Sequence, residues 1–147
     1  MYFRTLKKGQ NMMNLVTVAR VKEKMKILLI EPDSHKQRQL RTILTSLGHR
    51  SADIEAASDR KTATSLVRKK KYDCSFLTME GAEVNAVDFL KDVRTSGSSR
   101  TLPVIVYSNE VTKEKIVAAH EAGSSGFVAY PFSVSDIESA MERATKK

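Results

Sequence analysis

The sequence predicts an α/β domain in which a parallel sheet is covered by helices on both faces, and three observations carry that prediction. Apolar, strand-like runs alternate with helix-patterned segments five times between Lys26 and the C-terminus, with short connections throughout. Alternation of this kind implies parallel strands joined by crossover helices. The stretch Tyr72-Asp73-Cys74-Ser75-Phe76-Leu77-Thr78 is short, largely apolar and free of Gly and Pro, the composition of a strand buried on both faces. The helix-patterned segments are also punctuated as helices are: Asp33, Asn85, Thr112 and Ser133 stand ahead of them, and Gly48 and Gly123 behind.

Each element follows from a local pattern. Lys26-Ile27-Leu28-Leu29-Ile30-Glu31 is an apolar run ending in an acid, and Pro32 stops it because proline has no N–H to give to a ladder. Asp33 is placed to cap a helix whose Leu40, Ile43, Leu44 and Leu47 recur at helical spacing before Gly48 closes it. A weaker strand covers about Arg50 to Ala56. Ser58 reads as the cap of the next helix, with Ala63, Leu66 and Val67 inward and Arg68 to Lys71 favourable at the negative end of its dipole. The central strand ends at Thr78, and a loop carries Met79-Glu80-Gly81-Ala82-Glu83. Asn85 caps a helix holding Phe89, Leu90 and Val93, which dissolves at Gly97-Ser98-Ser99.

Pro103-Val104-Ile105-Val106-Tyr107-Ser108 is the fourth strand, and Thr112 begins a helix through Ile116 and Ala119 that Gly123 stops. Gly126-Phe127-Val128-Ala129 is a short fifth strand, followed by Tyr130-Pro131-Phe132. The last helix opens with the capping-box-like Ser133-x-x-Asp136, and Ile137, Ala140, Met141 and Ala144 make its inner face. Upstream of all this, Leu15 to Val21 fits a weak strand or a turn or two of helix, and that alternative stays open.

Composition narrows the function classes. At 147 residues, 41% hydrophobic and 29% charged, the chain is one ordinary globular domain's worth. A single cysteine, Cys74, excludes an internal disulfide framework and fits a reducing, cytoplasmic setting. His35, His49 and His120 are scattered without ligand spacing, so no metal site is expected. No apolar run approaches the roughly 18 residues that span a bilayer. The net charge of +8 is uneven, because Arg4, Lys7, Lys8, Arg20, Lys22, Lys24 and Lys26 oppose only Glu23. The excess belongs mainly to residues 1–25, a basic tail expected to be poorly ordered, ahead of a domain over 26–147. That tail is the one feature suited to nucleic acid or acidic membrane, so nucleic acid is not expected as the partner of the fold itself.

Five anchors in order carry a resemblance: Ile27 to Glu31, Asp73 to Thr78, Asp88 to Arg94, Leu102 to Ser108, and Glu121 to Phe132. With that spacing the chain resembles the receiver domain of two-component response regulators, the chemotaxis-regulator-like branch of the flavodoxin-like folds. The resemblance implies a (βα)5 three-layer sandwich with parallel sheet order 2-1-3-4-5. It also implies a cis peptide at Tyr130-Pro131.

In that family a kinase donates a phosphoryl group to an aspartate ending the third strand. Two acids after the first strand help hold Mg²⁺, a Ser or Thr ends the fourth strand, and a Lys precedes a proline after the fifth. A carboxylate is ionised at neutral pH and attacks phosphorus without a base, Mg²⁺ takes near-octahedral oxygen ligands, and the lysine and hydroxyl hold the new phosphoryl oxygens. Carried over position by position, the phosphoacceptor becomes Thr78, whose hydroxyl is un-ionised near neutral pH. The acid pair becomes Glu31-Pro32, with Asp33 displaced by one residue, and the lysine becomes the neutral Tyr130. Ser108, the switch aromatic Phe127 and Pro131 keep the family's residue types.

The expected function is therefore that of a degenerate pseudo-receiver: a single-domain signalling protein of a two-component phosphorelay, not an enzyme, acting by protein–protein interaction without aspartyl phosphorylation. Mg²⁺ binding is expected to be weak or absent, and no other cofactor is implied. The partner is expected on the Thr112 to Thr145 face. Two alternatives stand beside this one, a pseudo-receiver whose emptied pocket takes a small molecule, and a receiver with residual phosphoacceptor activity at a neighbouring acid such as Glu31 or Asp33.

Overall fold

Strand residues that alternate between two faces demand two helical layers, and the computed structural model, which describes residues 25–146, supplies both. Five strands, β1 (Ile27–Ile30), β2 (Ile54–Ala57), β3 (Cys74–Thr78), β4 (Val104–Ser108) and β5 (Gly126–Ala129), form one sheet in the order β2-β1-β3-β4-β5. All four pairings are parallel. The sheet order and five flanking helices are those of the flavodoxin-like receiver fold, as expected. Helices α1 (Ser34–Ser46), α2 (Arg60–Lys69), α3 (Ala86–Thr95), α4 (Lys113–Ala122) and α5 (Val134–Thr145) make the crossovers.

The period of two along each strand sorts the core into two layers. Leu28, Ile30, Leu77, Val104 and Val106 pack with Ala63 and Val67 of α2, Phe89, Leu90 and Val93 of α3, and Ala119 and Ala122 of α4. The alternate residues Ile27, Leu29, Cys74, Phe76, Ile105 and Tyr107 pack with Leu40 and Leu44 of α1 and Ile137, Ala140 and Met141 of α5. Strand β3 is buried at all five positions, consistent with its central place. The same burial pushes the Cys74 thiol up to about 12, so it is an inert core group.

Four helix starts are the expected ones. The side chains of Asp33, Asn85, Thr112 and Ser133 accept backbone N–H groups from His35, Asp88, Lys115 and Asp136. The fifth differs: α2 is capped by Asp59, which accepts from the Thr62 N–H at 2.7 Å, and not by Ser58. Strand β2 begins at Ile54 rather than near Arg50, because Ser51–Asp53 forms a 3-10 turn, with the Arg50 guanidinium held by the Asp53 carboxylate. A second 3-10 turn, Gly97–Thr101, takes up the segment where α3 ends. In α4, Ala119 and Ala122 face the core, whereas Ile116 is 40% exposed. The Tyr130–Pro131 peptide is cis. The basic tail and the open reading of Leu15 to Val21 lie, apart from Met25, outside the described residues.

Candidate functional site

The carboxyl ends of parallel strands gather the loops that carry chemistry in open α/β sheets, and here that end collects Glu31, Thr78, Ser108 and Tyr130. Thr78 closes β3 with only 1% of its surface exposed, and its hydroxyl accepts the Glu80 N–H at 3.2 Å. Glu31 is 4% exposed, with both carboxyl oxygens engaged: the Tyr107 hydroxyl donates to Oε1 at 2.6 Å and the Asp33 N–H to Oε2 at 3.0 Å. Burial first, then the charge of Glu31, drives the Tyr107 hydroxyl far above its ordinary pKa, which fixes it as a donor. The backbone carbonyl of Glu31 accepts from Gln37 of α1. Pro32 is half-buried beside the exposed Asp33, whose carboxylate caps α1.

Beyond these residues the sequence reading missed a cluster. Glu80, two residues past Thr78 in the β3–α3 loop, sends one carboxylate oxygen to Ser108 Oγ at 2.5 Å and the other to the Asn109 N–H at 3.1 Å. Lys115 of α4 closes the group, with Nζ 3.3 Å from Glu80 Oε2 and 3.1 Å from Ser108 Oγ. The Ser108 hydroxyl also accepts the Glu110 N–H at 3.2 Å and lies 2.9 Å from the Glu110 carbonyl oxygen. Burial pushes the Glu80 carboxyl up, but the bonds from Ser108, Asn109 and Lys115 outweigh it and leave the group below its ordinary range. A cation does stand beside Ser108, then, but it comes from α4 and not from the residue before Pro131.

Tyr130 goes elsewhere. Its hydroxyl donates to Gln39 Oε1 of α1 at 2.7 Å instead of entering the Thr78 pocket. Its ring meets Phe132 edge-on, 4.9 Å between centroids, and Lys36 Nζ sits 4.5 Å from the ring centre. Lys36 Nζ also donates to Asn109 Oδ1 at 2.8 Å, so α1, the β4–α4 loop and the β5–α5 loop are joined through one ammonium. Phe127 is half-buried against the α2–α4 core layer.

A fixed octahedral magnesium needs several oxygens free to converge. Of the residues carried over from the family, Glu31 has both oxygens engaged by protein donors, one oxygen of the Asp33 carboxylate caps a helix, and residue 78 brings no carboxylate. Among the described residues no cluster of three His, Cys, Asp or Glu side chains has a metal-holding arrangement. The donor set does not fit the ion. A groove of about 650 Å³ opens at the opposite end of the sheet, between Lys70, Lys71 and Tyr72 and the Ser98–Pro103 segment. No helix among the described residues is long and apolar enough to cross a membrane.

Comparison with known proteins identifies the family and the fold. The model of the response regulator receiver domain matches residues 27–142. The chemotaxis protein CheY-3 of Vibrio cholerae is 26% identical over 119 residues, covering 81% of this chain and 90% of that protein. A putative response regulator from Chloroflexus aurantiacus superposes with a TM-score of 0.77 at 18% identity, covering 84% of this chain and 98% of that one. The receiver domain of a sensor histidine kinase from Pseudomonas aeruginosa, solved with magnesium in its active-site cleft, gives 0.74 at 20% identity over the same shares.

Proposed function

Because this chain belongs to the response regulator receiver domain family, we propose that it transmits two-component signals by binding protein partners, without aspartyl phosphorylation and without acting as an enzyme. It is a receiver domain of two-component signalling; the mode of output is the proposal. The observation that carries it is Thr78. Where the family's nucleophilic carboxylate stands, this chain has a buried neutral hydroxyl committed to a loop amide. Each missing electrostatic element of phosphoryl transfer raises the barrier by several kcal/mol, and here the nucleophile, a metal acid and the lysine before Pro131 are all replaced. Magnesium has no role in this reading, and the expected setting is the cytoplasm. The domain is taken as 26–147, with the basic tail ahead of it.

The partner surface is placed on the Thr112 to Thr145 face, where Ile116, Val117 and Val134 are 40%, 41% and 46% exposed. The test pairs two variants in a capture of partners from the native cell. Thr78→Ala is expected to retain the wild-type partners, and the double change Ile116→Glu, Val117→Glu to lose them. Loss of the same partners in Thr78→Ala, with the circular dichroism spectrum intact, overturns the reading and makes Thr78 an acceptor or a contact. Of the alternatives, residual phosphoacceptor activity has one observation in its favour, the Glu80 carboxylate beside Ser108 and Lys115.

A further inference from the structure

The Glu80 cluster has the form of a bound anion and its receptor, made by one chain. Three donors from two elements converge on one carboxylate: the Ser108 hydroxyl at the end of β4, the Asn109 backbone N–H beside it, and the Lys115 ammonium in the first turn of α4. The carboxylate arrives from a third place, the β3–α3 loop. The positive end of the α4 dipole faces the same site, since Thr112 caps that helix and Lys115 lies three residues inside it. Glu80 and Lys115 are 32% and 31% exposed, so the cradle opens to solvent on one side and a small ion has access to it.

We propose that Ser108, the Asn109 N–H and Lys115 form a cradle for a small oxyanion, a carboxylate or inorganic phosphate, and that Glu80 occupies it as a tethered ligand. The chain thereby supplies in cis the negative charge that a phosphoryl group would otherwise bring to the Ser108 hydroxyl. The consequence is a permanently closed arrangement: Glu80 fastens the β3–α3 loop to the β4–α4 loop and sets the position of α4, whose outer side carries Ile116 and Val117. Glu110 stands at the rim, its carboxylate 4.0 Å from Lys115 Nζ and 78% exposed, where it competes weakly for the same ammonium. The functional consequence for α4 rests on the phosphorylation-independent reading; the geometry of the cradle does not.

Nuclear magnetic resonance of the full chain tests the cradle with inorganic phosphate as probe, because phosphate is not a phosphoryl donor. In wild type, phosphate is expected to leave the Asn109 amide and the Lys115 side-chain signals in place. In Glu80→Ala, both are expected to shift saturably, with core signals of Leu77 and Val106 unmoved. A tethered group acts at a millimolar or higher effective concentration, so its removal should raise the apparent phosphate affinity by about tenfold or more. Adding Lys115→Met to Glu80→Ala is expected to abolish the response. Glu80→Gln keeps the side chain's size and acceptor oxygen while removing the charge; it serves if the alanine variant does not fold, and is expected to give an intermediate response. Equal shifts in wild type and in the Glu80 variants would mean that Glu80 does not occupy the cradle. No saturable shift in any folded Glu80 variant would mean that there is no cradle. Acyl-phosphate formation from a donor would sink the phosphorylation-independent reading while leaving these phosphate shifts as predicted, so the two failures are distinguishable.

Discussion

Both ends of the sheet carry charged side chains, and they use them differently. At the amino ends of the strands, Lys70 pairs with Glu55 at 2.5 Å, the Tyr72 hydroxyl donates to Glu55, and Asp73 accepts the Lys26 N–H at 2.8 Å. These contacts tie the segment between α2 and β3 to β2 and to the start of β1, and Lys70 sits at the C-terminal end of α2, where the helix dipole favours a cation. At the carboxyl ends, by contrast, Glu31, Glu80, Lys36, Lys115 and Tyr130 tie together loops that no single strand pairing would hold in place. Removing a charge at the amino ends should cost a local contact. At the carboxyl ends it should release a loop.

The largest effect is expected from Tyr107→Phe. It strips Glu31 Oε1 of its donor while the carboxyl stays 4% exposed, and an unsatisfied buried polar group costs about 1–3 kcal/mol, more for a charged one. Urea unfolding should show a loss of at least about 2 kcal/mol; a loss no larger than at an exposed site would mean that water replaces the hydroxyl.

Next comes Lys115→Met. With both partners roughly a third exposed, screening reduces the pair's worth to about 1 kcal/mol or less. The pH dependence sharpens the point. The folded Glu80 carboxyl lies below its ordinary value of 4.5, so its contribution is complete above that value and is lost as pH falls through the folded value. Stability curves of wild type and Lys115→Met should therefore converge under acid. Parallel curves down to full protonation would exclude the ion pair as the cause.

At the amino ends, Tyr72→Phe should cost less than about 1 kcal/mol in the same urea assay, because Glu55 keeps Lys70 and is 38% exposed. A loss as large as that of Tyr107→Phe would erase the contrast between the two ends. The smallest effect belongs to the core between them. Ser75 Oγ is buried in β3 without a hydrogen-bond partner, so Ser75→Ala should be neutral or stabilising, by up to about 1 kcal/mol. A clear destabilisation would mean that an unseen water or partner satisfies the hydroxyl.

The same contrast explains what the sequence made legible. Strands and helix caps are local signals: Asp33 lies two residues from the amide it accepts, and Ser133 and Thr112 lie three. Where locality was ambiguous the reading slipped by one residue, since Ser58 and Asp59 are both good caps and only geometry chooses Asp59. Thr78, Glu31 and Ser108 were found because each ends a strand. Glu80 and Lys115 lie on a loop and a helix, 28 and 7 residues from Ser108 in sequence, and only the fold brings them to it. The signal available was an acid two residues past a central strand end. Tyr130 was assigned the family's lysine position by analogy, and an acceptor on α1, 91 residues away in sequence, holds its hydroxyl.

The most direct test of a receiver that signals without aspartyl phosphorylation is the intact mass of the full chain after incubation with magnesium and a small phosphodonor such as acetyl phosphate. Wild type is predicted to keep its mass, and so is Thr78→Asp, because that carboxylate alone still lacks a second metal acid at Pro32 and a cation at Tyr130. Stoichiometric addition of phosphate to wild type, removed by hydroxylamine as an acyl phosphate is and mapped to Glu80, Glu31 or Asp33, would contradict the account.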